Sequence, residues 1–222
     1  MGFWDRWLSG MRTGGNGERI STPAALREFL SAQASFIAQK VVTEYCQAKA
    51  GRHWTHLSME KTFIDQLARS RWEAFSLVLA DLFVLTAARL PSVSKAPGQA
   101  EREAAPAVLG ALVGLYREAL DAYPLPPHRP EGWADRVQEL EARLHAARIA
   151  PPGSAREIAE VGGRAVFSVL PIHLNMRRLD LPMVMNGIAF QTVAVAGRIR
   201  RRLDLPALAA ALGGAGRQAA AG

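Results

Sequence analysis

Apolar residues recur along the chain at steps of three and four, and alternation of the strand kind is nearly absent. That spacing lines one side of a 3.6-residue turn, so the pattern predicts an all-α fold. Thr22 followed by Pro23 opens the first long helix, with a cap acceptor and a first-turn proline side by side. This helix is expected to run to about residue 50 and to stop at Gly51, a residue suited to a left-handed cap. Leu26, Phe29, Leu30, Phe36, Ile37, Val41 and Tyr45 mark its apolar side.

A second helix is predicted over 58–90, ahead of Pro91. Its second half, from Phe75 onward, is apolar almost all round, so several of its faces should be buried. A third covers 101–123. Pro124, Pro126, Pro127 and Pro130 then force an extended connection. The fourth, 131–148, keeps only a narrow stripe (Trp133, Val137, Leu140, Leu144, Ala147) and should lie on the surface. Ser154 with Glu157 forms a capping box for a fifth helix, which Pro171 should kink or end. Pro182 opens a sixth, reaching Arg202. The expected organisation is one irregular bundle of about six helices over 22–205. Residues 1–21 precede it as a short amphipathic helix and a Gly-rich linker. Residues 206–222 follow as an Ala/Gly-rich tail with a helical turn and a frayed end.

Residues 181–197 hold no charge and are followed by Arg198, Arg200, Arg201 and Arg202. As a membrane span these seventeen residues reach only about 26 Å, short of a core of roughly 30 Å. They also contain Asn186, Gln191 and Thr192. The favoured reading is a largely buried C-terminal core helix, whose arginines suit the negative end of the helix dipole.

Charge sharpens this picture. The 222 residues carry a net charge of +7, distributed unevenly. Residues 1–163 balance at +1, whereas residues 164–222 carry 8 basic and 2 acidic side chains. A basic end of this kind suits an anionic partner, with Arg198, Arg200, Arg201 and Arg202 as the contact. Arginine exceeds lysine 23 to 4 beside 39 alanines, a bias that GC-rich bacterial coding produces. The single cysteine, Cys46, excludes an intrachain disulfide and a Cys-cluster zinc site. No secretory signal is visible, so the expected location is the cytoplasm or the inner face of the inner membrane.

Motifs for nucleotide binding and for a nucleophile elbow are missing from the sequence. His53, His56 and Glu60 have weak metal-ligand spacing, but Gly51 should place the histidines in a turn. Neither a metal nor a cofactor is expected. More informative are carboxylates set among apolar neighbours: Glu44, Glu73 and Asp81. Each must be paired if buried, and Arg69 and Arg71 are candidate partners. His173 and Asn175, just past Pro171, complete a candidate ligand pocket in the core. At the N-terminus Phe3, Trp4, Trp7 and Leu8 make an apolar side suited to a partner groove or a membrane interface. Nucleic acid is not expected, because no aromatic residues interleave with the arginines. Oligomeric state is not legible.

Tyr116, the prolines from Pro124 to Pro127, His128 and the following acidic helix resemble the all-α assembly chaperones of redox enzymes over about thirty residues. The acidic residue which that family carries beside the histidine is absent. The resemblance implies an assembly role. The residues themselves favour a non-enzymatic helical interaction protein, an adaptor or assembly factor binding another protein, with docking at the inner-membrane surface. The alternative is a helical enzyme or small-ligand-binding protein that uses the polar pocket.

Overall fold

The computed structural model describes residues 19–93 and 97–221, with side chains to 216. The helices are α1 (Pro23–Ala50), α2 (Trp54–Leu57), α3 (Lys61–Ala87), α4 (Gln99–Asp121), α5 (Ala134–Ile149), α6 (Ala155–Ser168), α7 (Leu174–Arg177), α8 (Leu181–Arg202) and α9 (Leu205–Ala221). The described chain is all-α. Its single extended pairing is a bridge between Ile20 and Leu203, where the Ile20 amide donates to the Arg202 carbonyl and the Asp204 amide to that of Ile20.

Local chemistry sets the helix ends. Thr22 Oγ1 accepts from the Ala25 amide at 3.3 Å. Gly51 stops α1 with φ at 50°, a region where a β-carbon is disfavoured. Ser154 Oγ accepts from the Glu157 amide at 3.2 Å, and Glu157 reaches back to the Gly153 amide at 2.8 Å. Pro171 lies beyond α6, in the turn that leads to α7.

α3 is the central element. It packs on α1 and α6, and also contacts α4, α5 and α8. Every residue from Glu73 to Ala87 is buried. Such a helix cannot expose its hydroxyls to water, so they turn onto its own backbone: Ser76 Oγ donates to the Glu73 carbonyl and Thr86 Oγ1 to that of Leu82, both at 2.8 Å. Tyr116 of α4 donates to the Ser76 carbonyl at 3.0 Å. Gly162 and Gly163 let α6 approach both neighbours. A β-carbon on Gly162 would meet the Asp81 carboxylate of α3, and one on Gly163 would lie 3.2 Å from the Met185 Cα of α8.

Two expectations are corrected. α8 is buried along one side only (Val184, Ile188, Thr192, Val195, Ile199), while Phe190 is 73% exposed. Its apolar string reads as a core helix because an uninterrupted apolar run carries no phase to show which side faces water. No helix among the described residues is long and apolar enough to cross a membrane. Residues 205–221 form a helix instead of a turn and a tail. Asp204 starts it by accepting from the Ala207 amide at 3.2 Å, and Leu208 and Leu212 are fully buried.

Candidate functional site

α3 carries Gln66, Arg69, Ser70 and Glu73 along one face at spacings of three and four. Opposite stand the proline-rich connection with His128 and Arg129, the first turn of α5 with Asp135 and Arg136, and the 168–173 turn that ends in His173. Ser70 Oγ pins that turn by donating to the Val169 carbonyl at 2.5 Å. Between these elements lies a cleft of about 1120 Å³.

Glu73 forms its floor, with its side chain 7% exposed. Arg129 grips the carboxylate twice, Nε to Oε1 and Nη2 to Oε2, both at 2.7 Å. Its remaining Nη1 donates to both oxygens of Asp135 at 2.7 Å, and the guanidinium lies 4.8 Å over the Trp133 ring. Arg136 Nη2 adds a bond to Oε2 at 2.9 Å, and His128 Nε2 sits 3.0 Å from Oε1. Burial alone would raise the Glu73 carboxyl; the hydrogen bonds and charges of Arg129 and Arg136 outweigh it and pull the group down to about 2. Burial pushes the His128 imidazole below its ordinary value despite Glu73, with Arg69 and Arg129 adding to the effect. The neutral ring therefore donates through Nε2 to an ionised carboxylate.

Glu73 is thus a fixed anion whose acceptor sites are filled, and it does not exchange protons near neutrality. The groups free to meet a visitor stand at the rim. Arg69 is exposed and has no ion pair among the described residues. Gln66 is exposed as well. His173 is exposed, with Nδ1 accepting from the Asn175 amide at 3.3 Å and Nε2 left open.

The structure brings Glu73 and His173 to one cleft and places the other pocket candidates elsewhere. Glu44 is exposed and paired with Lys40 at 2.5 Å, one helical turn away. Asp81 is fully buried, but its partner is Arg143 of α5 at 2.5 Å. Burial raises the Asp81 carboxyl to about 6, with Arg143 opposing. Asn175 is exposed and does not line the cleft. The suggested partners differ too: Arg71 Nη2 donates to Thr43 Oγ1 at 2.9 Å, and Arg69 reaches no carboxylate. His53 lies against Arg52, and His56 pairs with Glu60 at 3.0 Å. No group of three or more metal-ligating side chains gathers among the described residues. Burial raises the Cys46 thiol to about 12, which leaves it a packing group.

Among the arginines after α8's apolar run, Arg198 donates to Gln33, Arg202 lies 5.2 Å over the Phe29 ring, and Arg200 and Arg201 are exposed. Phe3, Trp4, Trp7 and Leu8 lie outside the described residues. Arg129, Arg136 and Asp135 were not picked out by sequence reasoning. The readable signal was a histidine and an arginine wedged between prolines, directly before a helix rich in charge.

No family model, curated protein or solved structure matches this chain.

Proposed function

We propose that this chain is a non-enzymatic helical interaction protein, of the adaptor or assembly-factor kind, that takes a polar segment of a partner protein into the cleft over Glu73. The observation that carries the reading is the contrast within that cleft. Its one carboxylate on the floor is locked by two arginines and a histidine, while Arg69, Gln66 and His173 stand unspent at the rim. A site built for acid–base chemistry keeps a group poised near the working pH. Glu73, held near 2, is far from that. The rim instead offers the Arg69 cation, the Glu131 carboxylate and two hydrogen-bonding groups, which suit an extended polar segment.

The cleft, about 1120 Å³ and open to solvent, is wide enough to admit a polypeptide segment. The resemblance around Tyr116 and His128 to assembly chaperones of redox enzymes agrees with an assembly role.

The test is recovery of a defined partner by the tagged full-length chain, followed by rebinding with purified components. Arg69→Glu with His173→Ala should weaken rebinding at least tenfold while circular dichroism shows the helical fold retained. Unchanged rebinding sinks the proposal. So does native mass spectrometry that finds a small molecule retained by the wild type and lost in this variant.

A further inference from the structure

α8 presents an unusual outer side. Met183, Phe190 and Val193 are 58%, 73% and 51% exposed, and Arg200 and Arg201 are exposed beyond them. At 100° per residue these five positions fall within an arc of about 100°, so they share one face of the helix. The outer side of a surface helix is ordinarily polar. Here exposed apolar side chains extend about 15 Å from residue 183 to 193, broken by Asn186, which accepts from Arg156, and the two guanidinium groups follow about 10 Å further on. At the other end, α7 and its flank add Leu174, Met176 and Leu179, exposed at 60%, 62% and 82%.

The nearest acids on the adjoining elements are engaged by other groups. Arg200 and Arg201 make no ion pair or hydrogen bond among the described residues. Asp180 is occupied by Lys49 at 2.6 Å and Tyr45 at 2.8 Å. Asp204 is held by the first turn of α9 and faces Arg19. Glu160 of the adjoining α6 faces Arg156. These three acids therefore do not neutralise the two arginines.

We propose that this face docks on an anionic phospholipid surface, with Met183, Phe190 and Val193 at the acyl boundary and Arg200 and Arg201 on the headgroup phosphates. An apolar stripe ending in arginines matches the layering of a bilayer surface, apolar below and anionic above. A stable protein partner would need about 800 Å² of this subunit, and a few side chains on a convex helix face do not offer that. The proposal is independent of the cleft over Glu73.

The experiment is co-sedimentation of the full chain with vesicles of phosphatidylcholine alone and of phosphatidylcholine mixed 7:3 with phosphatidylglycerol, at low and high salt. The wild type should partition onto the anionic vesicles and release as salt rises. Arg200→Gln with Arg201→Gln should lower the partition coefficient there about 30-fold. Phe190→Asp with Val193→Asp should lose binding to the anionic vesicles. Both variants should keep the wild-type unfolding midpoint, because the altered side chains are exposed. Arg89→Gln, an exposed change just past the end of α3, should leave partition unchanged. The proposal is overturned if the wild type stays in solution, if either folded double variant partitions like the wild type, or if Arg89→Gln loses as much as the arginine pair.

Discussion

Gly162→Ala is expected to be far more damaging than a helical glycine-to-alanine change usually is. A β-carbon there would collide with Asp81 Oδ2 and lie 2.6 Å from its Cγ. Asp81 has two rotatable bonds, is fully buried, and is held by Arg143 at 2.5 Å, so its carboxylate has no free space to retreat into. α6 cannot shift toward α8 either, because Gly163 already abuts Met185. Overpacking of this kind costs about 1–3 kcal/mol. Breaking a buried ion pair outright costs about 3–5 kcal/mol, of which a displaced carboxylate forfeits part. The helical preference of alanine returns about 1 kcal/mol. The net expectation is a loss of about 3 kcal/mol, and at about 2–4 °C per kcal/mol the Tm falls by about 6–12 °C. Calorimetry and urea titration followed by circular dichroism measure it. The decisive arm is a double-mutant cycle with Asp81→Ala, which removes the obstructing carboxylate. In that background Gly162→Ala should cost less than about 0.5 kcal/mol, a coupling well above the additivity of independent sites. An equal loss in both backgrounds refutes the steric reasoning.

Asp81 also has a pH signature. Its folded carboxyl titrates near 6 and its unfolded one near 3.8, so the native state holds the extra proton between these values and stability falls as pH rises through that window. Moving from pH 7 to pH 5 should gain the wild type about 1 kcal/mol through this group. Asp81→Asn should lack that increment, and the difference between the two proteins isolates it from His128, whose lowered value acts the opposite way. Glu73 has the reverse sign. Its folded value near 2 lies below the 4.5 of the free group, so its contribution is present above pH 4.5 and is lost as pH falls toward 2. Glu73→Gln should cost about 3 kcal/mol at pH 7 and flatten the acid limb of the Tm–pH curve. A parallel, undiminished acid limb in the variant contradicts the assignment.

Much of the fold was legible because it rests on local chemistry. Thr22, Gly51 and the Ser154–Glu157 box act within a few residues of themselves. The apolar half of α3 leaves no polar side to expose. The narrow stripe of α5 could only be a one-sided contact. The outward face of α8 was not legible, because it is decided by where Gly162 and Gly163 set α6. Glu73 stood out as a carboxylate between Trp72 and Phe75. Its partners Arg129 and Arg136 lie across a proline-rich connection that carries no periodicity, and only folding brings them together. Glu44 could have been read correctly: Lys40 sits four residues before it, the spacing of an exposed helical ion pair.

Hydrogen exchange read by mass spectrometry, on the free chain and on its complex with the rebinding partner, decides whether the cleft over Glu73 is where this protein holds its partner. New protection is expected on residues 66–73, 128–136 and 168–173, with the Arg69→Glu, His173→Ala variant losing it. Protection confined to other segments, or equal in that variant, would contradict it.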